Sequence, residues 1–129
     1  MKTTELQIGD YALVKPSMML IKIAAVHYKK VGYHAVTHKL NWVRMNLLEP
    51  IPLTPDILNA NGFRYKESWS AWWHYSDGDI GSDFQIDCCE DGFALQDCAN
   101  ARIDYVHELQ HALRLCRLND LADNFKLEE

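Results

Sequence analysis

The spacing of apolar residues changes once along this chain, and that change limits the folds open to it. Through the first hundred residues apolar and polar side chains alternate in short runs broken by turn formers; from about Ala101, Ile103, Val106, Leu109, Leu113 and Cys116 recur at steps of three and four. Alternation turns one face of a strand inward, whereas three-four stepping turns one stripe of a helix inward. The expected class is α+β, a β-rich body closed by an amphipathic helix.

The β-rich body divides further. "LQIGDYALVK", "MLIKIAAVHY", "YHAVTH" and "NWVRMNLLEP" are four extended segments at about ten-residue spacing, which predicts a small N-terminal antiparallel barrel-like sheet. "IPLTPDILNANGF" reads as a short capped helix over 54–61: Thr54 caps, Pro55 takes the first helical position, Asp56 meets the positive first turn, and Gly62 is the left-handed stop. "FRYKESWSAWWHYS", "DIGSDFQIDCCE" and "FALQDC" alternate around Asp77-Gly78 and Asp91-Gly92, which predicts a three-stranded β-meander. The final helix takes Asn100 as candidate cap and ends near Asn119, with "DNFKLEE" fraying. The 129 residues are read as a single domain, a β-rich barrel-like part over 1–50 and the helix, meander and C-terminal helix over 51–129, with Pro50 and Pro52 at the joint.

Hydrophobic residues at 48% and charged residues at 24% are globular values. A formal charge of −5 with no basic run longer than Lys29–Lys30 disfavours nucleic acid as partner, because phosphate binding needs concentrated positive charge. The opening "MKTTELQIGDY" has neither an apolar core nor a cleavage site, and no stretch is apolar enough to span a membrane; a cytoplasmic location is expected. Cys88, Cys89, Cys98 and Cys116 form no C-x-x-C pair and are read as reduced, buried thiols.

Three segments together, "LQIGDYALVK", "LLEPIPLTPDILNANGF" and "DYVHELQHALRL", resemble a family of small proteins from Bacteroidetes genomes and their phages or prophages. Its members open with an R-I-G-N-like strand, carry an E-P-I-P-L-T…G-F segment and end in a Y-V-H-x-L-Q-N helix. The resemblance covers both ends and the middle, and its distinctive part is Pro50 to Phe63. It implies a phage-related accessory role and carries no activity. It also implies that His111, where the family has Asn, is a local variation on a packing helix.

That histidine matters because His107, Glu108 and His111 have the H-E-x-x-H spacing of helical zinc hydrolases, in which two imidazoles one turn apart hold the ion and the glutamate polarises its water. Such a site needs a third ligand, normally from further along the chain. Only eighteen residues follow His111, and Arg114 and Arg117 occupy the Gly and His positions of the extended motif. Helical phase places both histidines opposite the Val106–Leu109–Leu113 stripe, beside Asp104 and Arg114, rather than in a cleft wall, although Leu115 and Leu118 partly share that face and leave a second packed layer open. Zinc, with His107 and His111 as ligands and Glu108 as base, is therefore the alternative reading, not the leading one.

"WSAWWHYSDGD" gathers Trp69, Trp72, Trp73 and Tyr75. As one strand it would put Trp69, Trp73 and Tyr75 on one face, as core, and Trp72 with His74 on the other, where an exposed Trp72 marks a recognition surface. Asp77, Asp79 and Asp83 lack the position-twelve acid of a calcium loop, since Cys88 stands there, and are read as turn residues. The leading expectation is a non-enzymatic accessory protein of a phage or mobile element that contacts a protein partner through the aromatic strand or a sheet edge. A zinc-dependent hydrolase and a nucleic-acid-binding barrel are the rivals.

Overall fold

The computed structural model describes residues 6–34, 39–74, 84–89, 92–95 and 98–127. It is α+β, two five-stranded antiparallel sheets with three short helices, and it divides into two compact units between Ile51 and Pro52.

The first unit holds β1 (Tyr11–Val14), β2 (Met19–His27), β3 (Lys30–His34), β4 (Leu40–Arg44) and β5 (Leu48–Glu49) in the order β4-β3-β2-β1-β5. "NWVRMNLLEP" thus supplies two strands, split by a 3-10 turn at Met45–Leu47. This split forces curvature. On a flat sheet β4 and β5 would lie four strand spacings apart, about 19 Å, while four residue steps along a 3-10 path cover about 8 Å. The nine-residue β2 absorbs the bend: Met19–Lys22 pairs with β1, Ile23–His27 pairs with β3, and the register shifts between Ile23 and Ala25. The sheet is curled as a barrel is, but β4 and β5 form no ladder, so it is not closed. Ala12, Val14, Ile21, Ile23, Val31, Met45 and Leu48 fill its interior.

Asp10 is fully buried at the start of this unit. Its carboxylate accepts from the Gln7 amide at 2.7 Å, and its carbonyl accepts from Ile23 at 2.8 Å. Gly9 takes φ 95°, which a side chain would strain, and donates to the Ile23 carbonyl at 2.7 Å. The I-G-D string is a turn that fastens the chain onto β2.

In the second unit, helix α1 (Pro55–Ala60) begins as its sequence predicts: Thr54 Oγ1 accepts from Ile57 at 3.2 Å, and Gly62 turns out at φ 84°. The sheet is larger than a three-stranded meander. It runs β10-β9-β8-β7-β6, with β6 (Arg64–Lys66), β7 (Ala71–His74), β8 (Phe84–Cys89), β9 (Gly92–Leu95) and β10 (Cys98–Arg102). "FRYKESWSAWWHYS" breaks at the 3-10 turn Glu67–Trp69, where Ser70 takes φ 47°, so it forms a hairpin rather than one strand. Asn100 belongs to β10 and is not the helix cap; helix α2 spans Val106–Leu115 with Tyr105 at the N-cap. Strand pairing with β9 decides the fate of that segment, since Arg102 registers with Ala94 and Ile103 donates to the Phe93 carbonyl at 2.9 Å.

The expected stripe of Ile103, Val106, Leu109 and Leu113 is fully buried. Cys116, expected at its end, is instead an exposed C-cap, and Cys88 is half-buried. Arg117 at φ 63° ends the helix, and helix α3 (Asn119–Asp123) follows. The tail does not fray over its described part: Ala122 and Phe125 are buried, and Asn61 grips Lys126 at both backbone groups, accepting from its amide at 2.6 Å and donating to its carbonyl at 2.7 Å. Phe63 and Phe84 meet edge-to-face at 6.2 Å in the same core.

Candidate functional site

Helix α2 carries the H-E-x-x-H residues, and its local chemistry explains each of them. The first amides of any helix lack intrahelical acceptors. Glu108, at the third helical position, meets that need: its Oε1 accepts from Asp104 and Tyr105 amides, both at 3.0 Å. This is the glutamate half of a capping box. A carboxylate held on two backbone N–H groups is turned toward the helix start and away from the water a zinc site would have it polarise.

His107 corrects the expectation from helical phase. It is 5% exposed rather than on a polar face, and its ring stacks on Tyr105 at 5.9 Å between centroids and 9° between planes. His111 is half-buried and meets His107 edge-to-face at 5.7 Å. The reason is the width of the buried arc. Gln110 is also fully buried and donates to the Ala122 carbonyl at 2.8 Å, and Arg114 pairs with Asp123 at 3.3 Å, so α3 covers a second side of α2 beyond the apolar stripe. Only the sector near Leu115, 85% exposed, is left to solvent. Among the described residues no group of three His, Cys, Asp or Glu side chains gathers where an ion could be held.

The aromatic segment yields a different arrangement. β7 carries Trp72, while Trp69 leaves the strand for the 3-10 turn. The side chains of Trp69, Trp73 and His74, all of Tyr75, and Asp77, Asp79 and Asp83 lie outside the described residues. Trp72 is half-buried, and register pairs it with Tyr65 of β6 across the hairpin; the rings lie 5.4 Å apart, tilted by 55°. Together with Pro55, Cys88, Gly92 and Phe93 they line an open groove of about 400 Å³.

The groove is almost wholly apolar, and β6, at the edge of the sheet order, forms one of its sides. Arg102 lies against Gly92 and bonds Asp104 at 3.0 Å, which puts a charge pair near one end. Sequence reasoning found Trp72 but missed Tyr65 and Phe93. The available signal was the hairpin itself: a turn at 67–70 sets Tyr65 opposite Trp72, and the β8–β9 register sets Phe93 opposite Cys88. No family model, curated protein or solved structure matches the chain.

Proposed function

We propose that this chain is a non-enzymatic binding module that captures an extended segment of a protein partner in the Tyr65–Trp72 groove. The observation that carries the reading is the apolar lining of that groove around two aromatic rings. A sugar would need hydrogen-bonding groups for its hydroxyls, and a nucleotide would need cations; an aliphatic or proline side chain needs neither. Among the described residues β6 is the edge of its sheet, a position to which an extended peptide can add as a strand. Residues 52–129 carry six Lys or Arg against fifteen Asp or Glu, so the favoured segment is apolar with flanking Lys or Arg.

The engagement of Glu108 as a cap favours this reading over zinc-dependent hydrolysis. The resemblance in the E-P-I-P-L-T…G-F and Y-V-H-x-L-Q segments supports an accessory role in a phage or mobile element, acting in the cytoplasm. A displayed peptide library selected against the full chain tests it. Enrichment of apolar peptides with basic flanks, lost in both Trp72→Ala and Tyr65→Ala, is expected. Enrichment indifferent to both variants overturns the groove, and stoichiometric zinc in untagged protein, lost in His111→Asn, overturns the non-enzymatic reading.

A further inference from the structure

The net charge of −5 is the sum over two unlike parts. Residues 1–51 carry seven Lys or Arg against three Asp or Glu, net +4, and residues 52–129 are net −9. Of the acids in the first unit, Asp10 is buried on the Gln7 amide and Glu49 is held by Lys15 at 2.8 Å; Glu5 lies outside the described residues.

Strand register decides where the positive charge is displayed. Paired residues share a face, so His27, Lys30 and Arg44 form one row across β2, β3 and β4, and Ala25, Gly32 and Trp42 form the next. The face is outward: His27, Trp42 and Arg44 are exposed, while Val31 on the opposite face is fully buried. Trp42 is 44% exposed with the Lys30 ammonium 4.7 Å above its ring and the His27 ring at its edge, 6.3 Å away. In the adjoining turn Lys29 lies 5.4 Å over the exposed Tyr28 ring. Neither row contains an acid.

We infer that the outer face of β2, β3 and β4 binds single-stranded nucleic acid. Lys29, Lys30 and Arg44 are the phosphate contacts, and Trp42 is the platform for an unpaired base. Single strands need this combination of cations and exposed π faces, whereas a duplex hides its base faces and can use only the cations. A surface cation–π contact is weaker than a base stack, so Lys30 exchanges the indole for a phosphate when a base arrives. The site lies in a different unit from the groove and stands or falls without it.

Fluorescence anisotropy of the full chain with labelled thymidine and uridine oligonucleotides of about twelve nucleotides tests this. Three phosphate contacts predict a log–log salt slope of about −2, so a tenfold rise in salt weakens binding about a hundredfold. Trp42→Ala weakens it by roughly tenfold. Lys30→Gln makes the slope shallower by about 0.7, which Lys15→Gln, whose ammonium already lies on Glu49, does not. Circular dichroism checks that each variant is folded, and the Lys30 slope decides should Trp42→Ala unfold. The inference is overturned by no binding at low salt, by duplex bound as well as single strand, by a folded Trp42→Ala that binds like the parent, or by preference for anionic vesicles over oligonucleotides.

Discussion

Capping and zinc-base chemistry are incompatible roles for Glu108, and replacing it with alanine or glutamine separates them. As a cap, its Oε1 takes both the Asp104 and Tyr105 amides at 3.0 Å. Hydrogen bonds to a charged group contribute about 1.5–3 kcal/mol, but these two share one oxygen and are solvent-accessible, so the freed amides in the alanine variant find water. Helix-cap removals of this kind cost about 0.5–2 kcal/mol, and the carboxylate at the positive helix end adds about 0.3–1 kcal/mol. We expect Glu108→Ala to destabilise by about 1.5 kcal/mol, a fall in Tm of about 6 °C for a chain of this size. Glutamine keeps an acceptor and loses only the charge, so its cost is about 0.5 kcal/mol. Urea unfolding followed by circular dichroism gives the two free energies, and amide exchange at Asp104 and Tyr105 locates the change. A zinc base gives no such ranking, with both variants equally inactive and neither unstable. Wild-type stability in Glu108→Ala, with unchanged exchange at those two amides, would refute the capping role.

Three further outcomes follow from contacts outside the groove. Asn61→Ala removes two bonds to Lys126 and one to the Ile57 carbonyl, at about 1 kcal/mol each, so a loss of about 2–3 kcal/mol is expected, with Lys126 amide protection falling first in hydrogen exchange. Gly9→Ala forces a side chain onto φ 95° and is expected to cost about 1–2 kcal/mol by urea denaturation. Leu115→Ser, at a residue left 85% exposed, is expected to stay within about 0.5 kcal/mol of the parent in the same titration, and a larger loss would mean that this side chain is covered in solution.

Local chemistry was the most legible part of the sequence. Thr54, Pro55 and Gly62 act on backbone groups within four residues of themselves, so helix α1 could be read directly. The stripe on α2 was equally plain because Val106, Leu109 and Leu113 lie against the core in phase. Readings failed where a distant strand or helix made the decision. Pairing with β9 pulled Ala101 and Arg102 out of the helix and Asn100 out of its cap, and contact with α3 buried Gln110 and widened the covered arc. Asn61 is a polar residue beside a glycine stop, and nothing near it in sequence announces a partner sixty-five residues away. The charge contrast was present in the composition from the start but was concealed by summing over a chain whose two units have opposite sign.

The three-residue link Met45–Leu47 has a mechanical consequence. Because its length, rather than a closing ladder, draws β4 and β5 together, it works as a drawstring on the first sheet. Arg44 and Trp42 stand directly before it, so the tilt of the strand that carries the outward cation and the outward indole is tied to how short that link is. Lengthening it by a few residues would relax the bow of β4 while leaving every side chain on that face chemically intact.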